Sequence, residues 1–522
     1  MIRGDSIMCM DTKVFLSNKY KVSYKENEAW RFSPVYIGLL ADGTQNNIKL
    51  PQNIYKIYDG LGQGTKSIKT YFSSFEFIDA VFVSVELPEK TKSITVKPKK
   101  YSDIVRFTEN KAVFYVKDTA YLSIEPDGDI FGSIHIFCNK KQKYVMRADN
   151  IIEFTDGIYT EINCEYIHRN SHGVPVIDSV PDNTIIYIGK DAVVNAAIEL
   201  IGVKNVKILG TGMLSLIDRC NGAEEGFRAE KYWGAFRYWA LPNIYIRSGC
   251  RNIEIDGVLL NCEFRGIVIR NSEKISLKNI KIFTSTENAD GINCYNTCDL
   301  TVDNCYIQSA DDCFCMYNSC DSIPTLFDGE NDKIGAICKN VEVKNCVMSS
   351  NARPIVLGGH ATGETEPRCV IEDICIHDCE IVNTPYRIFG NTREYSMYWS
   401  GFLRILSQSE QIVRKLVFKD IYINVTKGHN GKIFHLEVRD SNNASYTESK
   451  GFMIEDIQFI NITVNGSTEA LLPSLIRCRD AKNSNDNPSI KNILFENIKC
   501  RGRSFDKNSI VKEGPVSNII FK

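Results

Sequence analysis

Three aspartates near the middle of the chain have the type and spacing to do acid–base chemistry. Asp290 precedes the adjacent pair Asp311 and Asp312 by 21 and 22 residues. Carboxyls that share a small patch cannot all ionise at equal cost, so at least one of their pKa values rises. A protonated carboxyl beside ionised ones is the arrangement that glycoside hydrolysis needs. Turn aspartates and a Ca²⁺ site remain the alternatives, because hard cations also favour grouped carboxylates.

A repeated pattern predicts the elements that position these aspartates. From about residue 200, an alternating apolar pair closed by Asn, Asp or Gly returns every 22 to 47 residues. Short strands closed by residues that tolerate left-handed backbone, at steps in the low twenties, are typical of the coils of a parallel β-helix. The nine copies are Val206–Gly210, Ile253–Gly257, Ile275–Asn279, Leu300–Asn304, Val341–Asn345, Ile374–Asp378, Leu416–Asp420, Ile457–Asn461 and Ile493–Asn497.

The coil length brings the aspartates together. A step of 21 residues is about one coil, so Asp290 and Asp311 are expected on adjacent coils of one face, about 4.8 Å apart along the stacking direction. Asp299 and Asp303 flank the intervening strand, and we interpret them as solvated edge and turn residues. The pattern therefore predicts that three carboxyls share one patch.

The residues before about 150 predict a different domain. Alternating strands separated by turns occupy Ala80–Leu87, Ser93–Lys97, Ala112–Lys117, Tyr121–Glu125 and Ser133–Phe137. Strands at this spacing are typical of an antiparallel β-sandwich. We predict an all-β chain with a β-sandwich over residues 1–148 and a right-handed parallel β-helix over 149–522.

Composition excludes several function classes. The formal net charge is −2 and no long run of like charge occurs, so we expect no nucleic-acid partner. No window of about 18 apolar residues and no leader-like apolar stretch is present, so we expect no membrane partner and a cytoplasmic location for the chain as it stands, or secretion if a signal was removed. The sequence does not indicate which oligomeric state the protein adopts.

The 19 cysteines favour buried free thiols over disulfides or metal ligands. Their number is odd, and Cys262, Cys305 and Cys346 fall at inward strand positions where a small apolar side chain fits. No paired CxxC motif supports zinc. We expect no metal and no cofactor.

Four motifs, in this order on a β-helix, resemble the signature set of glycoside hydrolase family 28, the polygalacturonase-like enzymes. They are Asn288–Gly291, Asp311–Cys313, Gly358–His360 and Arg404–Ile405, within a resemblance that covers roughly residues 150 to 510. The preceding β-sandwich is similar in placement to that of the related family 49, which includes dextranases and isopullulanases.

The resemblance implies a role for each matching residue. Asp311 is the expected general acid, while Asp290 and Asp312 hold and deprotonate the attacking water. His360 is expected to maintain the hydrogen-bond network and the protonation state of the general acid. Arg404 and Asn288 are expected to bind substrate. This division implies inversion of the anomeric centre, with carboxyls roughly 6.5 to 9.5 Å apart.

Three departures from the family motifs bear on the substrate. Asn293 stands where many relatives have Asp, and Ala361 replaces the second glycine of Gly-His-Gly. Leu406 stands where the Arg-Ile-Lys motif has the lysine that helps to bind a uronate carboxylate. Loss of such a charge-assisted contact, worth roughly 1.5 to 3 kcal/mol, argues against plain homogalacturonan.

Other residues are candidates for the sugar pocket. Two aromatic-rich segments contain Trp239 and Trp399, whose faces are expected to stack on a pyranose, although loop aromatics also simply pack their loop. Arg353, Arg387 and Arg393 add positive potential or remain solvated.

The expected partner is a carbohydrate, and the leading function is an inverting hydrolase of an oligo- or polysaccharide. The alternatives are a dextranase- or isopullulanase-like α-glucan hydrolase, a β-helix polysaccharide lyase that uses Ca²⁺, and a non-catalytic carbohydrate-binding solenoid.

Overall fold

The computed structural model describes residues 16–37, 71–130, 132–170, 174–216, 241–262, 264–284, 289–318, 337–359, 368–383, 401–408, 411–426, 431–440, 451–468, 471–480 and 487–522. Within these residues the chain is almost entirely β-strand, with two single-turn 3₁₀ helices at Lys99–Tyr101 and Lys507–Ser509. None of the helices in this part of the chain has the length and apolar character needed to span a bilayer.

Ten strands of the described residues belong to the first compact unit, which ends at Val145. They are β1 Lys21–Glu26, β2 Ala29–Ser33, β3 Tyr36–Ile37, β4 Tyr71–Phe77, β5 Val81–Glu86, β6 Ile94–Lys97, β7 Arg106–Thr108, β8 Lys111–Val116, β9 Ala120–Pro126 and β10 Ile134–Lys140.

These ten strands make two five-stranded sheets, ordered β2-β1-β5-β8-β7 and β3-β4-β10-β9-β6. One apolar core takes residues from both sheets, such as Val83 and Phe114 from the first and Leu122 and Ile136 from the second. The predicted β-sandwich is confirmed, including all five strands named from the sequence. One pairing differs from the expectation, since β4 and β10 run parallel within the otherwise antiparallel arrangement.

The remaining 32 strands belong to the second compact unit, which runs from Met146. The first half comprises β11 Asn150–Tyr159, β12 His168–Arg169, β13 Pro175–Ile177, β14 Thr184–Asn195, β15 Ala197–Ile201, β16 Lys204–Leu209, β17 Met213–Ser215, β18 Ile244–Arg247, β19 Arg251–Asp256, β20 Leu259–Cys262, β21 Ile267–Arg270, β22 Glu273–Lys278, β23 Lys281–Thr284, β24 Ile292–Tyr295, β25 Cys298–Asp303 and β26 Tyr306–Ser309. The second half comprises β27 Phe314–Tyr317, β28 Ile337–Lys344, β29 Val347–Ser350, β30 Ile355–Leu357, β31 Val370–His377, β32 Glu380–Asn383, β33 Leu403–Ser407, β34 Ile412–Val425, β35 Phe434–Val438, β36 Met453–Gly466, β37 Ser474–Cys478, β38 Ser489–Glu496, β39 Lys499–Cys500, β40 Arg503–Ser504, β41 Ile510–Glu513 and β42 Val516–Phe521.

The second unit is a parallel β-helix whose central coils have three strands each. Two strands of each coil join a 20-stranded sheet, and the third joins a 12-stranded sheet that includes β21, β24, β27, β30, β33 and β35. The first residues of the nine predicted repeats stack in one continuous register, from Val206 through Leu300 to Ile493. All nine residues that close the repeats have positive φ, as their types predicted.

The cysteines of the β-helix fill its interior largely as expected. Cys262, Cys305 and Cys346 are buried and free, and fifteen described cysteines are free in all. Cys369 differs from the prediction, because it is disulfide-bonded. Asp299 and Asp303 are partly exposed, as expected, but they lie within β25 and do not flank it; they accept hydrogen bonds from Asn340 (2.6 Å) and Asn345 (2.7 Å) on the next coil.

Candidate active site

The candidate site lies at the N-terminal ends of four neighbouring third strands, β21, β24, β27 and β30. Their first apolar residues are aligned in register, so the residues two positions earlier also stack. Backbone hydrogen bonds continue this alignment past the strand ends, with Gly291 N–H donating to Asp312 O (2.8 Å) and Cys313 N–H to Arg353 O (3.2 Å). The stacked residues, in order along the sheet, are Arg265, Asp290, Asp312 and Arg353. We call these four residues the charged row.

The charged row places Asp290 over Asp312, whereas the sequence interpretation paired Asp290 with Asp311. The residue that stacks on Asp290 is 22 positions later, and Asp311 precedes it in the same turn. Two serines fix this turn: Ser309 Oγ accepts from Asp311 N–H (3.1 Å), and Ser350 Oγ donates to Asp311 O (2.6 Å). The three carboxyls thus lie together on one rigid edge, with Asp311 beside the row.

Asp290 is buried and has three polar neighbours. Asn293 Nδ2 donates to its Oδ2 (2.6 Å), the backbone N–H of Asp312 donates to its Oδ1 (3.2 Å), and Arg265 Nε lies 3.5 Å from Oδ2. Burial, against the lowering effect of Arg265 and with the charge of Asp312, raises the pKa of Asp290 to about 6. The Asp290 carboxyl therefore ionises at about pH 6.

Asp312 makes the strongest ion pair of the site. Both of its oxygens accept from the Arg353 guanidinium, with Nε to Oδ1 at 2.7 Å and Nη2 to Oδ2 at 2.8 Å. The backbone N–H of Arg353 also donates to Oδ1 (3.1 Å). A two-point contact of this kind stabilises the ionised carboxylate.

Asp311 lacks the close ion pair that Asp312 makes. It is 4% exposed, and no described residue donates a hydrogen bond to its Oδ1. Arg353 Nη2 lies 3.8 Å from that oxygen, too far for a hydrogen bond. Burial, followed by the charges of Asp312 and Asp290, raises the pKa of Asp311 well above its ordinary value. Of the three carboxyls, Asp311 is thus the one whose surroundings favour the protonated form.

Arg404 lies on the outward face of the same sheet, in the row that contains Asn293, Cys315, Val356 and His435. It is 1% exposed. It lies two strand spacings from Cys315, with β30 between them, which corresponds to about 10 Å along the sheet. Since Asn293 of the same row donates to Asp290, the row that contains Arg404 reaches the carboxyls, at a distance of about 10 Å or more from Arg404 itself.

The coil after Arg404 contains buried charged residues that the sequence interpretation missed. His435 and Glu437 are fully buried on β35, with Nε2 3.2 Å from Oε2, and Arg477 Nε donates to Glu437 (2.9 Å). Lys432 precedes the same strand, and burial, with the charge of Arg404, lowers its pKa to about 8. The alternation of polar and apolar residues in Phe434–Val438 was the available signal.

Four predicted site residues lie outside the described residues: Asn288, His360, Trp239 and Trp399. Arg387 and Arg393 do so as well. The glycines that precede His360 are described, and they follow the C-terminal end of β30, where Gly358 N–H donates to Met316 O (2.8 Å). The carboxyls lie at the N-terminal ends of these strands. In the charged row, the residue that follows Asp312 on the next coil is Arg353. The sequence analysis had considered Arg353 only as a general source of positive potential.

Asp290, Asp312 and Cys315 offer potential metal ligands within 4.8 Å of one another. Both oxygens of Asp312 are already bonded to Arg353, however, and Asp290 is bonded to Asn293. A cation here would have to displace the guanidinium, so the donor set does not favour the Ca²⁺ alternative.

Comparisons with known proteins agree with this fold. The sequence model described as glycosyl hydrolases family 28 matches residues 183–514. A search of curated proteins found no match.

Several solved structures are similar to the chain. Dex49A from Penicillium minioluteum superposes with a TM-score of 0.51 at 12% identity, over 89% of each chain. An exopolygalacturonase from Thermotoga maritima has a TM-score of 0.44 at 14% identity, over 72% of this chain and 84% of that one. A polygalacturonase from Erwinia carotovora has a TM-score of 0.46 at 13% identity, over 73% of this chain and 98% of that one. At these identities the similarity is one of fold.

Proposed function

The chain belongs to family 28 of the glycosyl hydrolases, and from this membership we propose that it is an inverting hydrolase of an oligo- or polysaccharide other than plain homogalacturonan. The observation that carries the proposal is the difference between Asp311 and its two neighbours. One buried carboxyl whose surroundings favour its proton lies beside two carboxylates that are each paired with an arginine.

In the proposed reaction, Asp311 gives its proton to the glycosidic oxygen as the bond to the anomeric carbon breaks. A water molecule attacks the opposite face of that carbon, and Asp290 with Asp312 orients the water and accepts its proton. Because displacement occurs once, the product has the inverted configuration. Arg404, whose row reaches the carboxyls, binds a sugar next to the cleavage point.

The position of Leu406 supports a substrate other than homogalacturonan. This side chain is buried on β33 beside Glu437 of the next coil, where the family motif has a cation. An apolar side chain next to a carboxylate offers no partner to a uronate carboxylate. A neutral α-glucan is therefore one of the substrates to be tested first.

A substrate screen followed by NMR tests the proposal. Neutral α-glucans, pectic fragments and plant or host glycans are incubated with the protein, and the anomer that forms first is identified by ¹H NMR. We expect cleavage of one class with an initially inverted anomer, and loss of this activity in Asp311→Asn. An initially retained anomer would exclude the inverting mechanism.

The same screen separates the two remaining alternatives. A lyase would release an unsaturated sugar that absorbs ultraviolet light and would lose activity with a chelator. A non-catalytic binding solenoid would retain its binding in Asp311→Asn and would release no product from any glycan.

A further inference from the structure

The charged row contains two arginines that flank two carboxylates. Arg265 and Asp290 lie on adjacent coils, as do Asp312 and Arg353, so the signs along the sheet run plus, minus, minus, plus. Each carboxylate also accepts the backbone N–H of the next residue in the row, at 3.2 Å for Asp290 and 3.1 Å for Asp312. Asp311 lies beside the row, and no arginine or backbone N–H of the described residues donates a hydrogen bond to its Oδ1.

Among the described residues, the other titratable groups around the carboxyls carry no compensating charge. On the coils packed against them, these groups are Tyr295, Cys313, Cys315 and Tyr317. Burial raises the pKa of each, so each is neutral in the pH range where carboxyls titrate. The next cation outward, Arg439, lies 3.9 Å from Glu437 Oε2 and so pairs with a carboxylate outside the three aspartates. Arg265 and Arg353 are therefore the described cations that act directly on the three aspartates.

We propose that Arg353 and Arg265 are positioning residues that keep Asp312 and Asp290 ionised, so that the single proton of the three carboxyls resides on Asp311. The proposal deepens the proposed function and rests on it for its catalytic meaning. The placement of the charges can nevertheless be tested without any substrate.

Of the two arginines, Arg353 makes the closer contact with its carboxylate. Its guanidinium contacts both oxygens of Asp312 and fixes the plane of that carboxylate, whereas Arg265 approaches Asp290 at 3.5 Å with one nitrogen. Without Arg353, a 1% exposed carboxylate would face two other carboxyls with no cation in contact. The proton of the site would then be distributed between Asp312 and Asp311.

The first experiment measures thermal stability at pH 5 and pH 8 for the wild type, Arg353→Gln and Arg353→Lys. We expect Arg353→Gln to lose more stability at pH 8 than at pH 5, by about 2 to 4 °C in Tm, because protonation of Asp312 relieves the unpaired charge at the lower pH. Arg353→Lys retains the charge, so its loss should be nearly the same at both pH values. Arg251→Gln, which removes an exposed arginine paired with Glu273 on the other sheet, is the matched control.

A double variant keeps the test decisive if Arg353→Gln alone fails to fold. Asp312→Asn together with Arg353→Gln removes both charges, and we expect it to fold and to show no pH-dependent loss. Equal losses at both pH values for Arg353→Gln, or no recovery in the double variant, would overturn the proposal whatever the activity of the protein.

The second experiment measures the pH dependence of kcat/KM with the substrate found in the screen. Arg353→Gln should move the acid limb toward higher pH by about one unit or more, because Asp312 loses the cation that favours its ionised form. Arg265→Gln should also move the acid limb toward higher pH, because Asp290 loses its cation. Arg353→Lys should lower kcat but leave the acid limb almost at its wild-type pH. A lower kcat in Arg353→Gln with an unmoved limb would overturn the proposal, whereas absence of any wild-type cleavage would count against the proposed function alone.

Discussion

At the scale of single residues, three aspartates differ because of their neighbours. Asp312 contacts a guanidinium through both oxygens, Asp290 contacts an amide and a more distant arginine, and Asp311 has no hydrogen bond to Oδ1 from the described residues. The sequence predicted that the three carboxyls share one patch. It could not predict Arg353, because that arginine follows Asp312 by 41 residues, and the sequence does not show how many of these belong to one coil.

The pKa of Asp290 sets a testable limit on activity. In the proposed mechanism Asp290 must be ionised to accept a proton from water, and burial raises its pKa to about 6. We therefore expect kcat/KM to fall as the pH decreases through about 6. Asn293→Ala removes a hydrogen bond that favours the ionised form, so the acid limb of this variant should lie at higher pH. The measurement is a pH profile of both proteins on the same substrate.

An acid limb near pH 4 in the wild type would contradict this assignment. It would mean that the group which must lose a proton has an ordinary aspartate pKa. A limb that stays in place in Asn293→Ala would assign the titration to a residue other than Asp290.

Replacement of Asp311 should separate stability from activity. The folded state raises the pKa of Asp311 above its ordinary value of 3.8, so the folded protein holds this proton more tightly than the unfolded chain. Stability is therefore lost as the pH rises from about 4 through the folded-state pKa. Asp311→Asn avoids this loss, and we expect it to be more stable by about 0.5 to 2 kcal/mol at pH 8 while turnover falls at least about 100-fold.

Denaturant unfolding of the wild type and Asp311→Asn at pH 4 and pH 8 provides the measurement. The advantage of the variant should be greatest at pH 8 and should shrink on acidification. A variant that is less stable at pH 8 would show that the carboxylate is better accommodated than its surroundings indicate.

At the scale of the elements, the closing residue of each repeat has left-handed backbone. It directly follows the end of a strand in seven of the nine repeats, whereas Asp420 and Asn461 lie within β34 and β36. Asn304 has φ 52° and donates to Asn279 Oδ1 on the preceding coil (2.8 Å). The same left-handed conformation and the same kind of side-chain bond occur at Asn345 and Asn461. These residues were identifiable from the sequence because left-handed backbone strongly favours Asn, Asp and Gly.

Two substitutions at Asn304 separate its two contributions. Asn304→Gly loses only the bond to Asn279, which we expect to cost about 0.5 to 1.5 kcal/mol. Asn304→Ala loses the bond and also strains the backbone, so it should cost a further 1 kcal/mol or so. Denaturant unfolding checks the order of the two variants, and equal stability would show that the conformation contributes nothing.

The elements that the sequence did not reveal lack this periodic signal. The last strand, Val516–Phe521, extends the stack with Ile519 aligned on Ile493, although it was not among the nine predicted repeats. In the first unit, β1 to β4 and β7 were not named. β2 exposes Trp30 and Phe32, so its outward positions are apolar where the usual alternation requires polar residues.

At the scale of the whole molecule, the described residues contain two large apolar cores that share no member. One lies within residues 20–138 and belongs to the sandwich, and the other lies within residues 152–510 and belongs to the β-helix. In the second, Phe418, Phe459 and Phe495 stack from coil to coil with ring centroids 5.1 Å apart. Stability in such a solenoid is transmitted between neighbouring coils, not between domains.

Separate cores predict separate unfolding transitions. Phe114→Ala in the sandwich and Phe459→Ala in the β-helix each remove a buried aromatic side chain, at a cost of about 3 to 5 kcal/mol to their own unit. Calorimetry should therefore show two transitions, with Phe114→Ala lowering one and Phe459→Ala the other. A substrate that binds the carboxyl site should raise only the transition that Phe459→Ala lowers, because binding stabilises the unit that holds the site. A single transition lowered by both substitutions would show instead that the two units unfold together.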